Sequence, residues 1–225
     1  ADNWVPALLK RAGGMLTSPL VAIGLLMICT RWLDRRPFAV TGIRFDRRWL
    51  PSLLLGTGVS LAIVVPASAL LGRLGLVPVY PHNSSEPVWV ALVYVLVLGY
   101  VLQRVTEEFV WRGWLSQSIG GGRRRQAVIT SIGFGLIHIL SNGGHASLWG
   151  GALYVPRPAP FRYAACALYF ATGSIWAAVG IHGGLHLATY VAQNLGGGEG
   201  WPLELAQLVL YGLIGFAVMR RLPAA

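Results

Sequence analysis

Two adjacent carboxylates, Glu107 and Glu108, lie inside a long apolar stretch of a 225-residue chain that carries only eight acidic residues. Arg112 follows Glu108 by one helical turn, and three imidazoles recur in later apolar stretches: His138, then His182 and His186 at i, i+4 spacing. A charge at the centre of a bilayer-spanning helix costs on the order of 3 kcal/mol, so such groups face one another or a wet cavity. Carboxylates and imidazoles move protons. Together they can activate a water as nucleophile, and an imidazole N–H can hold an oxyanion. On a helix Glu108 reaches Arg112, whose guanidinium stays charged, while Glu107 points about 100° away and is left to a water or to His138. This makes Glu107 the candidate base, with Glu108 and Arg112 as structural support. Singly, a buried ion pair or a core histidine reads as well structurally; their co-occurrence argues for chemistry.

Such residues need elements to hold them, and the composition names the solvent. Hydrophobic residues make up 55% of the chain and charged ones 12%, about half the charged share of a soluble domain; mean hydropathy is +0.59. The expectation is an all-α, polytopic membrane bundle in one integral-membrane domain over residues 1–225. Apolar runs place spans near 15–33, 50–72, 87–106, 125–141, 162–173, 174–195 and 203–220. That makes about seven spans, or eight if another precedes Ala1. Gly120 to Gly122, Gly196 to Gly198 and Pro202 punctuate them as helix ends. The 143–161 stretch, rich in glycine and proline, suits an interfacial or re-entrant segment. No alternating barrel pattern, internal repeat or second domain is visible.

The net charge of +10 sits in arginine clusters beside the apolar runs. These are at Arg31–Arg48, Arg123–Arg125 and Arg220–Arg221, with Arg73, Arg157 and Arg162 counted to the opposite face. By the positive-inside rule the clustered loops and the C-terminus are cytoplasmic, and the expected neighbours are membrane lipids rather than nucleic acid. Cys29 and Cys166 lie in apolar runs without a metal-binding or disulfide pattern and read as packing residues.

Depth tests whether the polar groups can meet. Glu107 lies fifteen residues before Gly122 and His138 fifteen after Arg123. An antiparallel hairpin therefore brings them level, about 22 Å from the turn. His182, nine residues beyond Gly173, comes in at about 13 Å, and tilt or a bent helix must close that gap.

At these residues the chain resembles the CPBP intramembrane proteases, the CAAX-protease and bacteriocin-processing (Abi) family. Glu107-Glu108 through Arg112 matches the EExxxR motif, Phe134 to His138 the FxxxH motif, and Gly173-Ser174-Ile175-Trp176 through His182 the G-S-x-W…H segment. The motifs stand in family order within about residues 101–194. The resemblance implies a helical membrane fold of about eight spans and glutamate-dependent hydrolysis of peptide bonds at a cytoplasm-facing cavity. In that scheme Glu107 and His138 activate the water, and His182 helps hold the oxyanion. One departure stands out: the family's last motif is HxxxN or HxxxD, and this chain has His186 there. An imidazole can replace the amide as oxyanion donor, but it also completes a ligand set, Glu107, His138, His182 and His186, suited to a divalent metal such as zinc. The metal-free, metal-independent scheme is the favoured expectation.

Other membrane hydrolases are disfavoured, because HExxH, GxGD and GxSG are absent and Lys10 is the only lysine. The expected partner is a peptide or protein substrate, lipidated or not. Two other readings stay open: a non-proteolytic membrane partner such as an immunity or assembly factor, and an enzyme acting on a small lipophilic substrate in the same cavity. His82 and His145 fall in loop-like sequence outside the motifs.

Overall fold

The computed structural model describes residues 17, 19–79, 87–102, 104–140 and 158–223. His82, His145 and most of the 143–161 stretch lie outside the described residues. Seven helices follow one another: α1 (Pro19–Leu33), α2 (Trp49–Arg73), α3 (Val88–Ile119), α4 (Arg123–Leu140), α5 (Pro158–Thr172), α6 (Ile175–Asn194) and α7 (Trp201–Arg221). There is no strand among the described residues. Of these helices α2, α3, α6 and α7 are long and apolar enough to cross a membrane. The chain is an integral membrane protein, and the seven longer helices among the described residues coincide with the seven apolar runs. The third is longer than its run of 87–106, because the helix continues through the Glu107–Arg112 segment to the Gly120-Gly121 turn. Both of those glycines take positive φ (67° and 77°), backbone that other residues adopt at a cost.

Polarity is distributed as lipid requires. Leu54, Trp89, Val101, Ile132, Leu136, Leu213 and Phe216 point outward, whereas Arg104, Glu108, Arg112, Arg162 and His182 are buried. An apolar exterior around a charged interior is stable only where the solvent is hydrocarbon.

The centre of the bundle is the pair α2 and α6. A Cβ added at Gly56 would collide with the backbone at Ala177 and Ile181, and one at Gly180 with the Leu53 backbone. These two glycines let the helices touch main chain to main chain, the close approach that drives helix association in lipid. Hydroxyls then bond across the seam: Ser60 Oγ donates to the Ile181 carbonyl at 2.6 Å, and Tyr211 of α7 donates to Ser60 at 2.9 Å. Gly180→Ala is expected to cost at least about 1–3 kcal/mol, since backbone cannot rearrange as a side chain can. Unfolding in mixed micelles measures it, and a variant as stable as the parent would contradict this packing.

The basic clusters meet at one end of the bundle. Arg123 Nη1 donates to the Pro223 carbonyl at 3.3 Å, tying the start of α4 to the end of α7, and Arg36 donates to the Gln117 carbonyl at 3.4 Å near the α3–α4 turn. Trp114 Nε1 donates to Asp34 at 2.7 Å on the same side. Arg162, by contrast, does not belong to a loop on the opposite face. It lies inside α5, fully buried. A linear count of basic residues cannot separate a loop arginine from one paired in the interior.

Candidate active site

Four residues of α3 point into the bundle at helical spacing: Arg104, Glu107, Glu108 and Arg112. Glu108 is sealed from solvent and Arg112 Nη1 lies 2.9 Å from its Oε2, the i, i+4 pair expected from spacing. Glu108 also meets partners from two other helices. Arg162 Nη1 of α5 donates to its Oε1 at 2.5 Å, and His182 Nδ1 of α6 lies 2.8 Å from the same oxygen. Arg112 in turn donates to the Arg162 carbonyl at 2.8 Å. One buried carboxylate thus ties α3, α5 and α6 together.

Glu107 is the accessible member of the pair, with 21% of its side chain exposed. Arg104 Nη1 reaches its two oxygens at 3.0 and 3.2 Å, and Arg162 Nη1 and His182 Nε2 approach its Oε2 at 3.6 and 3.7 Å. The other nitrogen of Arg104, Nη2, lies 2.5 Å from His186 Nε2. His182 and His186 stack with ring centroids 6.5 Å apart. Glu107, His182 and His186 therefore come together, and two arginines missing from the sequence-based set, Arg104 and Arg162, come with them. Their signal was present in outline: Arg104 stands one turn before Glu107, and Arg162 opens an apolar run.

Glu107 Oε2 and His182 Nε2 stand 3.7 Å apart, so the expected depth gap is closed, and the shape of α3 accounts for part of it. Phe109–Leu115 forms a π-helical segment between the glutamates and the α3–α4 turn. Its wider i→i+5 turns advance less per residue than an α-helix, which draws Glu107 toward the level of His182.

His138 lies on α4, and its side chain is outside the described residues. The backbone register of the α3–α4 hairpin is nevertheless defined. Ser116 bonds Gln126 at 3.3 Å, and the rings of Trp111 and Phe134 pack edge-on at 5.4 Å. One turn further from the connection on each helix, position 107 comes level with position 138. Phe134, on that face of α4, lies under the Arg162 guanidinium at 3.5 Å and beside the His182 ring at 6.4 Å.

A cavity of about 300 Å³ opens onto this cluster. Its walls include Arg104, His182, His186, Phe134, Phe161 and Tyr211, with Glu204 of α7 among them. It is large enough for a few residues of extended peptide and combines apolar walls with convergent polar groups.

Residues 87–188 match the family model described as type II CAAX prenyl endopeptidase, Rce1-like. Over those residues the chain is similar to that family, which is consistent with a CPBP intramembrane protease. The match runs from the start of α3 to beyond His186, so it takes in every residue of the cluster just described. No curated protein and no solved structure matches the chain.

The charges of the cluster bear on the alternative of a metal held by Glu107, His138, His182 and His186, of which the His138 side chain lies outside the described residues. Among the described residues no three His, Cys, Asp or Glu side chains are grouped to hold an ion. Guanidinium groups stand instead against His186 Nε2, against His182 Nδ1 and against both carboxylates. Cations at about 3 Å from the donor atoms compete directly with a metal ion for the same lone pairs.

Proposed function

We propose that the protein is a CAAX-protease-type intramembrane endopeptidase in which Glu107 takes a proton from the attacking water. The carrying observation is the contrast within the pair: Glu108 is sealed and paired with Arg112, Arg162 and His182, while Glu107 keeps exposure and faces His182 Nε2. His138, level with Glu107 on the neighbouring helix, shares the water. His182 turns Nδ1 to Glu108 and Arg162, which leaves Nε2 directed at the reacting centre.

In this reading the water oxygen bonds to the substrate carbonyl carbon, its proton passes to Glu107, and the carbonyl oxygen becomes an oxyanion. Collapse of that intermediate breaks the C–N bond, and the leaving amine takes the proton from Glu107. The substrate is a peptide or protein segment in the membrane. The end of the bundle bearing the arginine clusters faces the cytoplasm, in keeping with the positive-inside rule.

The reaction is proposed to need no metal, and the crowding of guanidinium groups around the carboxylates and imidazoles supports that. EDTA or phenanthroline is expected to leave the cleavage rate of a fluorogenic CAAX peptide unchanged. Loss of activity on chelation, restored by zinc, would refute it. Comparing the farnesylated peptide with its unprenylated counterpart reads out whether a lipid chain is recognised.

A further inference from the structure

His186 stands where the resembled family carries Asn or Asp, and its environment decides what it does. Arg104 Nη2 is 2.5 Å from His186 Nε2. A guanidinium only donates, so Nε2 accepts that bond and carries no proton of its own. It is then not available as an N–H donor toward an oxyanion.

Arg104 itself is placed for that task. It lines the 300 Å³ cavity together with both imidazoles, is largely buried, and holds Glu107 through Nη1. The charges of the cluster point the same way. Among the described residues three guanidinium groups (Arg104, Arg112, Arg162) surround two carboxylates, a surplus of one positive charge. Arg112 pairs with Glu108 and bonds the Arg162 carbonyl, and Arg162 lies closer to Glu108 (2.5 Å) than to Glu107 (3.6 Å). Among the described residues Arg104 is ion-paired with Glu107.

We propose that Arg104 is the oxyanion donor of this site and that His186 is its positioning residue, a refinement that rests on the endopeptidase reading above. The electrostatics of the step require little else. When Glu107 accepts the water proton it becomes neutral, and Arg104 loses its counter-ion at that moment. The carbonyl oxygen gains one negative charge within the same few ångströms, and the guanidinium transfers its N–H bonds from the carboxylic acid to the oxyanion. Net charge in the buried site stays constant, so no charge has to be solvated by hydrocarbon. On collapse of the intermediate, Glu107 returns its proton to the leaving amine and recovers Arg104.

The test uses the full chain in lipid nanodiscs. With 15N-labelled histidine, the His186 signal, assigned by its loss in His186→Asn, is expected to show Nδ1 protonated and Nε2 bare. On the farnesylated fluorogenic peptide, Arg104→Gln is expected to lower kcat by about 10²–10³-fold with KM little changed. Arg104→Lys, which keeps the charge without the planar fork, is expected to recover part of the rate. Adding His186→Asn to Arg104→Gln should cost almost nothing more, because the second residue acts through the first. A protonated Nε2 on His186, an Arg104→Gln kcat close to the parent value, or effects of the two substitutions that multiply would each overturn the proposal. A parent no faster than Glu107→Gln would instead overturn the endopeptidase reading, and the donor role with it, whereas the imidazole measurement still decides the Arg104–His186 pairing.

Discussion

Glu107→Gln abolishes peptide cleavage and leaves the bundle folded: this is the expected result with the largest effect on activity. The amide keeps the shape of the carboxylate and can still accept a bond from Arg104, whose other nitrogen stays on His186. It cannot take a proton from water. Loss of a general base costs about 10²–10⁴-fold in rate, and here the variant also removes the counter-ion that Arg104 must leave. The stability change should be smaller than that of emptying the Glu108 pair, because Glu107 keeps 21% of its side chain exposed and the amide still accepts the Arg104 bond. Initial rates on the fluorogenic peptide, with gel filtration and thermal unfolding of the same preparation, separate the two effects. Turnover retained in the folded variant removes Glu107 as the base.

The contrast between the two glutamates shows how much of the site a linear reading can reach. Glu108 with Arg112, and Glu107 on a different bearing, follow from helical spacing alone, because i, i+4 partners are fixed by 3.6 residues per turn. The seven helices follow from apolar runs for the same reason: in lipid a segment satisfies its own backbone bonds, so local composition decides its state. Arg104, one turn before Glu107, was within reach of the same spacing, but Arg162 was not legible in this way. Nothing local distinguishes Arg162, near the start of α5, from an arginine of a loop; only the packing of α5 against α3, α4 and α6 turns it onto Glu108, His182 and the Phe134 ring. The π-helical turn after Glu108 was equally hidden, since it depends on how Phe109–Leu115 packs. The depth estimate assumed an unbroken α-helical rise, and the π-helical turn accounts for part of the difference between Glu107 and His182.

Arg112→Met gives the largest expected loss of stability, and the reason lies in what it leaves behind. Glu108 is wholly buried, and its Oε2 has Arg112 as its ion partner at 2.9 Å. Removing the guanidinium strands one carboxylate oxygen in the interior and frees the Arg162 carbonyl that Arg112 also caps. Breaking a buried ion pair from one side costs about 3–5 kcal/mol, most of it the penalty on the abandoned charge. Glu108→Gln in the same background removes that charge, so the double variant should be less damaged than the two single losses added together, with a coupling of about 1–3 kcal/mol. Denaturant unfolding of the four proteins in mixed micelles closes the cycle. Additive losses would mean that Arg112 stabilises the bundle by packing alone. Because Glu107 and Arg104 are untouched, an Arg112→Met preparation kept folded at low temperature should retain a measurable rate on the peptide, whereas Glu107→Gln retains its fold and loses the rate. That opposite pairing of outcomes is what two adjacent carboxylates with separate partners require.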